Sequence, residues 1–179
     1  MVSCDPIYRW DSSQIQERIT STYDTMLNQT RQNAEEFVWS SIRSVGELGQ
    51  VRMAAMRAFL DDFASGKVDG RYIEAELPTL PFAEASFDLG LCSHFLFLYT
   101  TQLGETFHRL AILEMCRVAA EVRIFPLLAL GGRQSPYVDQ ALDYLRALGF
   151  DAALVKVPYE FQRGGDHMLR IRKTRTDGS

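Results

Sequence analysis

The chain has 179 residues, 46% hydrophobic and 23% charged, with a formal net charge of -4, which suits a domain with a sizeable core. An acidic balance with a sequence pI of about 5.4 is a poor match to a nucleic-acid binder, which carries a basic face. Cys4, Cys92 and Cys116 lie far apart with no metal-ligand spacing, so they read as reduced thiols of a cytoplasmic protein; no signal peptide is legible, and no apolar run reaches the roughly 18 residues of a membrane span.

In chain order, "VSC" reads as the end of a buried strand that Asp5-Pro6 stops, because proline has no backbone donor and biases its neighbour to extended geometry. Asp11, Ser12 and Ser13 offer caps for a helix over 13–30, with Ile15, Ile19, Tyr23 and Met26-Leu27 at helical spacing. Residues 34–45 fit a shorter helix with Phe37, Val38 and Ile42 inward. A third helix over 48–63 places Val51, Ala55, Phe59 and Phe63 on one face, and the two glycines of "SGKVDG" stop it. One crossover helix would join parallel strands, so this long connection is an insertion: a lid over an acceptor site or a layer covering the sheet.

Then the pattern changes. "RYIEAEL" alternates as a strand, with 74–77 in the main sheet, and "PTLPFAEAS" is a loop. Residues 87–93 form a near-continuous apolar run of the kind a parallel strand buried on both faces shows. "TQLGETFHRLAILEMCRVAA" is a helix with His108 toward solvent, and 122–127 is a strand. Ser135 and Pro136 open a helix over 137–149, and a glycine turn at "QRGGD" joins final strands over 153–157 and 168–172 as an antiparallel hairpin. This alternation is that of an α/β domain with a mostly parallel sheet. The reading is one domain over 1–173, with a helical insertion at about 11–65 and a flexible tail over 174–179. The basic run Arg170, Arg172, Lys173 and Arg175 is a solvated strand end.

Two blocks, "VSCDP" and "AELPTLPFAEASFDLGLCSHFLF", followed by the reversed hairpin strand, resemble the class I S-adenosylmethionine-dependent methyltransferases of the type 11 kind. The resemblance implies a Rossmann-like sheet with helices on both faces, S-adenosylmethionine as cofactor and methyl transfer to an unidentified acceptor. Such a reaction rests on alignment of donor and acceptor and needs no metal. Asp5 matches the acid that accepts hydrogen bonds from the cofactor's ribose hydroxyls. Glu76, where the family more often has Asp, matches the acid near the adenine, with Leu77 beside the ring. Cys92 and Ser93 end the strand whose carboxyl edge faces the ligand, and His94 is the candidate base. Read without the resemblance, Asp5 caps a turn, Glu76 is a solvated loop acid and His94 is equally a hydrogen-bonded core histidine.

The family's glycine-rich turn, GxGxG after its first strand, is not in this sequence; Gly131-Gly132 and Gly164-Gly165 come too late. The acid-ended strand is the family's second. The expectation is therefore a chain lacking the first βα unit that binds S-adenosylmethionine weakly or not at all. The rival reading is a non-catalytic protein, a remnant or an interaction module on the same fold.

Overall fold

The computed structural model describes residues 1–174; Arg175 and the rest of the expected tail lie outside the described residues. The chain is α/β with a mixed sheet. Contacts divide it into two compact units, Met1–Glu76 and Leu77 onward.

In the first unit, β1 (Ser3–Cys4) leads through a 3-10 turn (Pro6–Arg9) into α1 (Ser12–Gln32) and α2 (Val45–Val68), and β2 (Tyr72–Ile73) pairs parallel with β1. Asp11 caps α1 in a reciprocal capping box with Gln14, and α1 buries Ile15 and Leu27. No helix forms over 34–45. Only a 3-10 turn, Ala34–Glu36, is present. The Trp39 indole N–H donates to the Ala34 carbonyl at 2.8 Å, and Ser44 must be extended (φ -161°) to accept from the Glu47 amide as cap of α2. That helix is longer than expected. Val51 and Ala55 are exposed, whereas Leu48 and Phe63 point inward. Gly66 does not stop α2; it lies inside, where a Cβ would run into the Tyr72 ring. The stop is Gly70, at φ +69°.

The strand expected over 74–77 is not formed, and β2 is not part of the larger sheet. Its partner β1 ends too soon. After Cys4, the Asp5 side chain turns to cap the 3-10 turn and Pro6 offers no donor, so the ladder is two residues long.

The second unit contains β3 (Phe87–Ser93), α3 (Thr100–Val118), β4 (Ala119–Phe125), α4 (Tyr137–Ala147), β5 (Phe150–Lys156) and β6 (His167–Lys173). The sheet order is β3-β4-β6-β5. β3 and β4 are parallel, while β6 is antiparallel to both its neighbours, so β3, β4 and β5 share one direction. The expected hairpin is present, but β5 stops at Lys156, ahead of Val157-Pro158, and its connection to β6 spans 157–166.

Within the second unit, α3 and α4 lie on one face of the sheet. Cys92, Val122, Ile124, Ala152, Leu169 and Ile171 alternate onto one face, and Ala111, Ile112, Met115, Val138 and Leu145 of α3 and α4 pack against them. The other face carries Leu89, Leu91 and a charged ladder in which Arg123 and Arg172 both bond Glu121. The apolar run of β3 is therefore buried on one face only: Leu89 is 41% and Leu91 67% exposed.

Candidate functional site

The two acids singled out by sequence both follow the parallel pair at its carboxyl end. Asp5 comes directly after β1, and its amide donates to the Ile73 carbonyl of β2 at 3.3 Å. Its Oδ1 accepts from the Ile7 amide at 2.9 Å, so it caps a turn as the bare sequence suggested, and Oδ2 has no part in that cap. Glu76, three residues beyond β2, is exposed.

The second unit holds Leu77, Cys92, Ser93 and His94. Leu77 packs half-buried against the main core. Cys92 turns into that core at 8% exposure, and burial raises its thiol pKa, so its side chain is a packing group rather than one at the ligand edge. Cys116 is buried too, pushed up to about 12 by desolvation. Ser93 and His94 are exposed at the carboxyl end of β3. His94 takes a left-handed φ of +52°, and its amide donates to the Phe125 carbonyl at 2.7 Å. Its ring Nδ1 lies 2.8 Å from Ser93 Oγ, and the ring stands edge-on to Phe125, centroids 5.8 Å apart. His94 is thus no core histidine: the backbone pins it, and Ser93 orients a ring that faces solvent.

The histidine that is buried is His108, which the sequence reading put at the surface. It is 1% exposed. Gly104, at φ +68°, kinks α3, and the Gly104 carbonyl meets His108 Nδ1 at 2.6 Å. A carbonyl only accepts, so Nδ1 carries the proton and Nε2 is a buried acceptor; Nε2 has no hydrogen-bond partner among the described residues. The Phe97 and Tyr137 rings flank it.

The sequence also concealed a clasp on the loop after Leu77. Glu114 and Arg117 of α3 form a bidentate pair, both contacts 2.8 Å. Glu114 Oε1 accepts from the Leu80 amide at 2.6 Å, while Arg117 donates to the carbonyls of Phe82 at 2.8 Å and Leu80 at 3.2 Å. The guanidinium holds the Glu114 carboxyl below its ordinary pKa. Phe82 sits edge-on to Phe87, centroids 4.9 Å apart. The "LPF" segment is therefore fixed to α3, beside a shallow groove lined by Pro78, Thr79, Leu110, Leu113, Glu114 and Arg117. The i,i+3 spacing of Glu114 and Arg117 was the available signal, but it does not say that the pair reaches a loop more than thirty residues away.

Among the described residues, no cluster of His, Cys, Asp and Glu is placed to hold a metal ion, and no helix is long and apolar enough to cross a membrane. No family model matches the chain. It is 32% identical over 174 residues to the uncharacterized protein MJ0045 of Methanocaldococcus jannaschii, an alignment that covers 97% of this chain and 76% of that protein.

Proposed function

We propose that this chain, which belongs to the family of MJ0045, is built on a class I methyltransferase fold and carries the ribose and adenine end of an S-adenosylmethionine site, for methyl transfer to an unidentified acceptor. The observation that carries the reading is the placement of Asp5 and Glu76, both just past the carboxyl end of the parallel pair β1 and β2, the end of an open α/β sheet at which ligands bind. The order β3-β4-β6-β5 with β6 alone reversed gives it further support.

The fit to the cofactor is half complete. Asp5 has a carboxylate oxygen outside its cap to meet a ribose diol, and Glu76 is exposed for the adenine amino group. Leu77, Cys92 and Ser93 enter from the resemblance alone, and the burial of the Cys92 thiol leaves only its backbone for that role. The glycine-rich turn whose backbone donors hold the methionine end in that fold is not found within residues 1–179. Bound S-adenosylmethionine supplies an electrophilic methyl group on a sulfonium. Within the second unit, Ser93 orients the His94 ring, which makes His94 the candidate base of the chain.

Amide NMR spectra test the assignment. Adding S-adenosylmethionine is expected to shift the signals of 3–7 and 73–77, with no change at those amides in Asp5→Ala. Signals that stay still in the unaltered chain would favour the rival reading, a non-catalytic protein on this fold.

A further inference from the structure

We propose that Lys67 is a positioning residue for Asp5: its ammonium closes the carbonyl end of the 3-10 turn whose amide end Asp5 caps, and so fixes the carboxylate that is to meet a ligand. The inference lies wholly within the first unit, and only its ligand arm rests on the nucleoside role of Asp5. A single 3-10 turn is a poor structure by itself, because the dihedrals it fixes are repaid by few bonds. Pro6–Arg9 is held from within by two, from the Tyr8 amide to the Asp5 carbonyl at 3.1 Å and from the Trp10 amide to the Ile7 carbonyl at 3.0 Å. The Asp5 cap, in which Oδ1 accepts from the Ile7 amide at 2.9 Å, lasts only while the turn keeps that amide aimed at the carboxylate.

The turn cannot continue on its own. The Asp11 amide, next in line for the Tyr8 carbonyl, is taken by the Gln14 side chain at 3.1 Å in the capping box of α1. Lys67, in the last turn of α2, serves that carbonyl instead: its Nζ donates to it at 2.6 Å and lies 3.5 Å from the Trp10 carbonyl. A cation is the right donor here, because the carbonyl end of a turn is its negative end and a charged donor bonds more strongly than a neutral one. The same Nζ stands 5.3 Å from the centroid of the Phe63 ring, which holds the ammonium against the ring cluster. The Tyr8 ring packs in that cluster, 5.7 Å from Phe63, and its hydroxyl meets the Ser3 hydroxyl at 2.7 Å. Tyr8 thus sets where the turn lies, while Lys67 keeps it closed. Lys67 acts on Asp5 through the turn, and Oδ2 is left outside the cap.

Two variants of the full chain test it. Lys67→Met keeps an apolar stem and removes the donor, whereas Lys67→Arg keeps a cationic donor. Exchange of the Ile7 amide with water, followed by NMR, reads the Asp5 cap with no ligand present. Lys67→Met is expected to quicken it about fivefold or more, and Lys67→Arg to reverse most of that. The Ser3 amide, which donates to the Arg71 carbonyl at 2.8 Å, should stay unmoved in both, which separates an opened turn from a loosened strand pair. In calorimetric titration with adenosine, Lys67→Met should weaken binding about fivefold, and Lys67→Arg should restore it. The proposal is overturned by an Ile7 amide that Lys67→Met leaves unmoved, by quickening that Ser3 shares or that Lys67→Arg does not reverse, or by an adenosine affinity that Lys67→Met leaves unchanged. If Ile7 responds as expected but adenosine gives no heat with the unaltered chain, the nucleoside reading fails and the positioning of the Asp5 carboxylate stands.

Discussion

The two units are held together by different means. In the first, strand pairing is two residues long, and α1 and α2 close on a knot of rings: Tyr8, Phe59, Phe63 and Tyr72, with centroids 5.1 to 6.1 Å apart. In the second, seven-residue strands alternate a continuous aliphatic face onto two helices. The first concentrates its burial in a few large side chains; the second spreads it over many. A single truncation should therefore be felt more sharply in the first, and two units with separate cores should respond separately.

The largest expected effect is at Phe63, 1% exposed at the centre of the ring cluster. Phe63→Ala should cost about 3–5 kcal/mol. Hydrogen exchange should show α1 and α2 losing protection while β4 and β6 keep theirs; equal loss in both units would break the comparison. Gly66 sharpens it further. A methyl there meets the Tyr72 ring and the Arg71 guanidinium, so Gly66→Ala should cost about 1–3 kcal/mol by overpacking, although alanine is the better helix former. Urea unfolding followed by a probe in α2 measures it.

In the second unit the matching weak point is the polar clasp. Arg117→Ala leaves Glu114, whose side chain is 12% exposed, without its cation, and removes the guanidinium donor from the Phe82 and Leu80 carbonyls, of which Leu80 keeps the Phe82 amide. A loss of about 1–3 kcal/mol is expected, with amide exchange quickening at Leu80 and Phe82 before it does in β3.

The smallest effect is electrostatic. The Asp62 carboxyl, bonded first by Arg71 and then by Tyr72, is held at about 2, below its ordinary 3.8. A depressed folded value stabilises above the unfolded value, and that stabilisation is lost as pH falls through the folded one. The first unit should thus lose stability between pH 3.8 and about 2, and Asp62→Asn should flatten that limb. Both side chains of the pair are about two-fifths exposed, so solvent screens the pair and keeps the effect small. Urea midpoints across this window check it.

Legibility in the sequence followed the range of the forces involved. The cap at Asp11, helices α1 and α2, and strands β3 to β6 were readable because their signals are local: an oxygen before a helix, or a period of 2 or 3.6. The failures arose where a distant partner decided the outcome. Glu74–Leu77 carries strand residues, yet β1 ends too early to pair with them. The spacing of Phe37, Val38 and Ile42 within 34–45 looks helical, yet Ser44 must be extended to cap the next helix. His108 looked like a surface residue because sequence does not show the Gly104 kink whose carbonyl it meets. In the candidate site, the place of Asp5 just past β1 was readable from Asp5-Pro6, whereas Glu76, expected inside a strand over 74–77, lies three residues beyond β2. The burial of Cys92 and the Glu114–Arg117 clasp were not readable, since both depend on which face of β3 the helices cover.

The central claim is that this chain offers the ribose and adenine end of a cofactor site without the methionine end. Calorimetric titration with S-adenosylmethionine and, separately, with adenosine tests it most directly. If Asp5 and Glu76 hold the nucleoside and nothing holds the methionine, both ligands bind with the same weak affinity, a dissociation constant on the order of 1 mM, and Asp5→Ala removes the heat in both cases. Micromolar binding of S-adenosylmethionine with much weaker binding of adenosine would contradict it, because another segment of the chain would then be holding the methionine end.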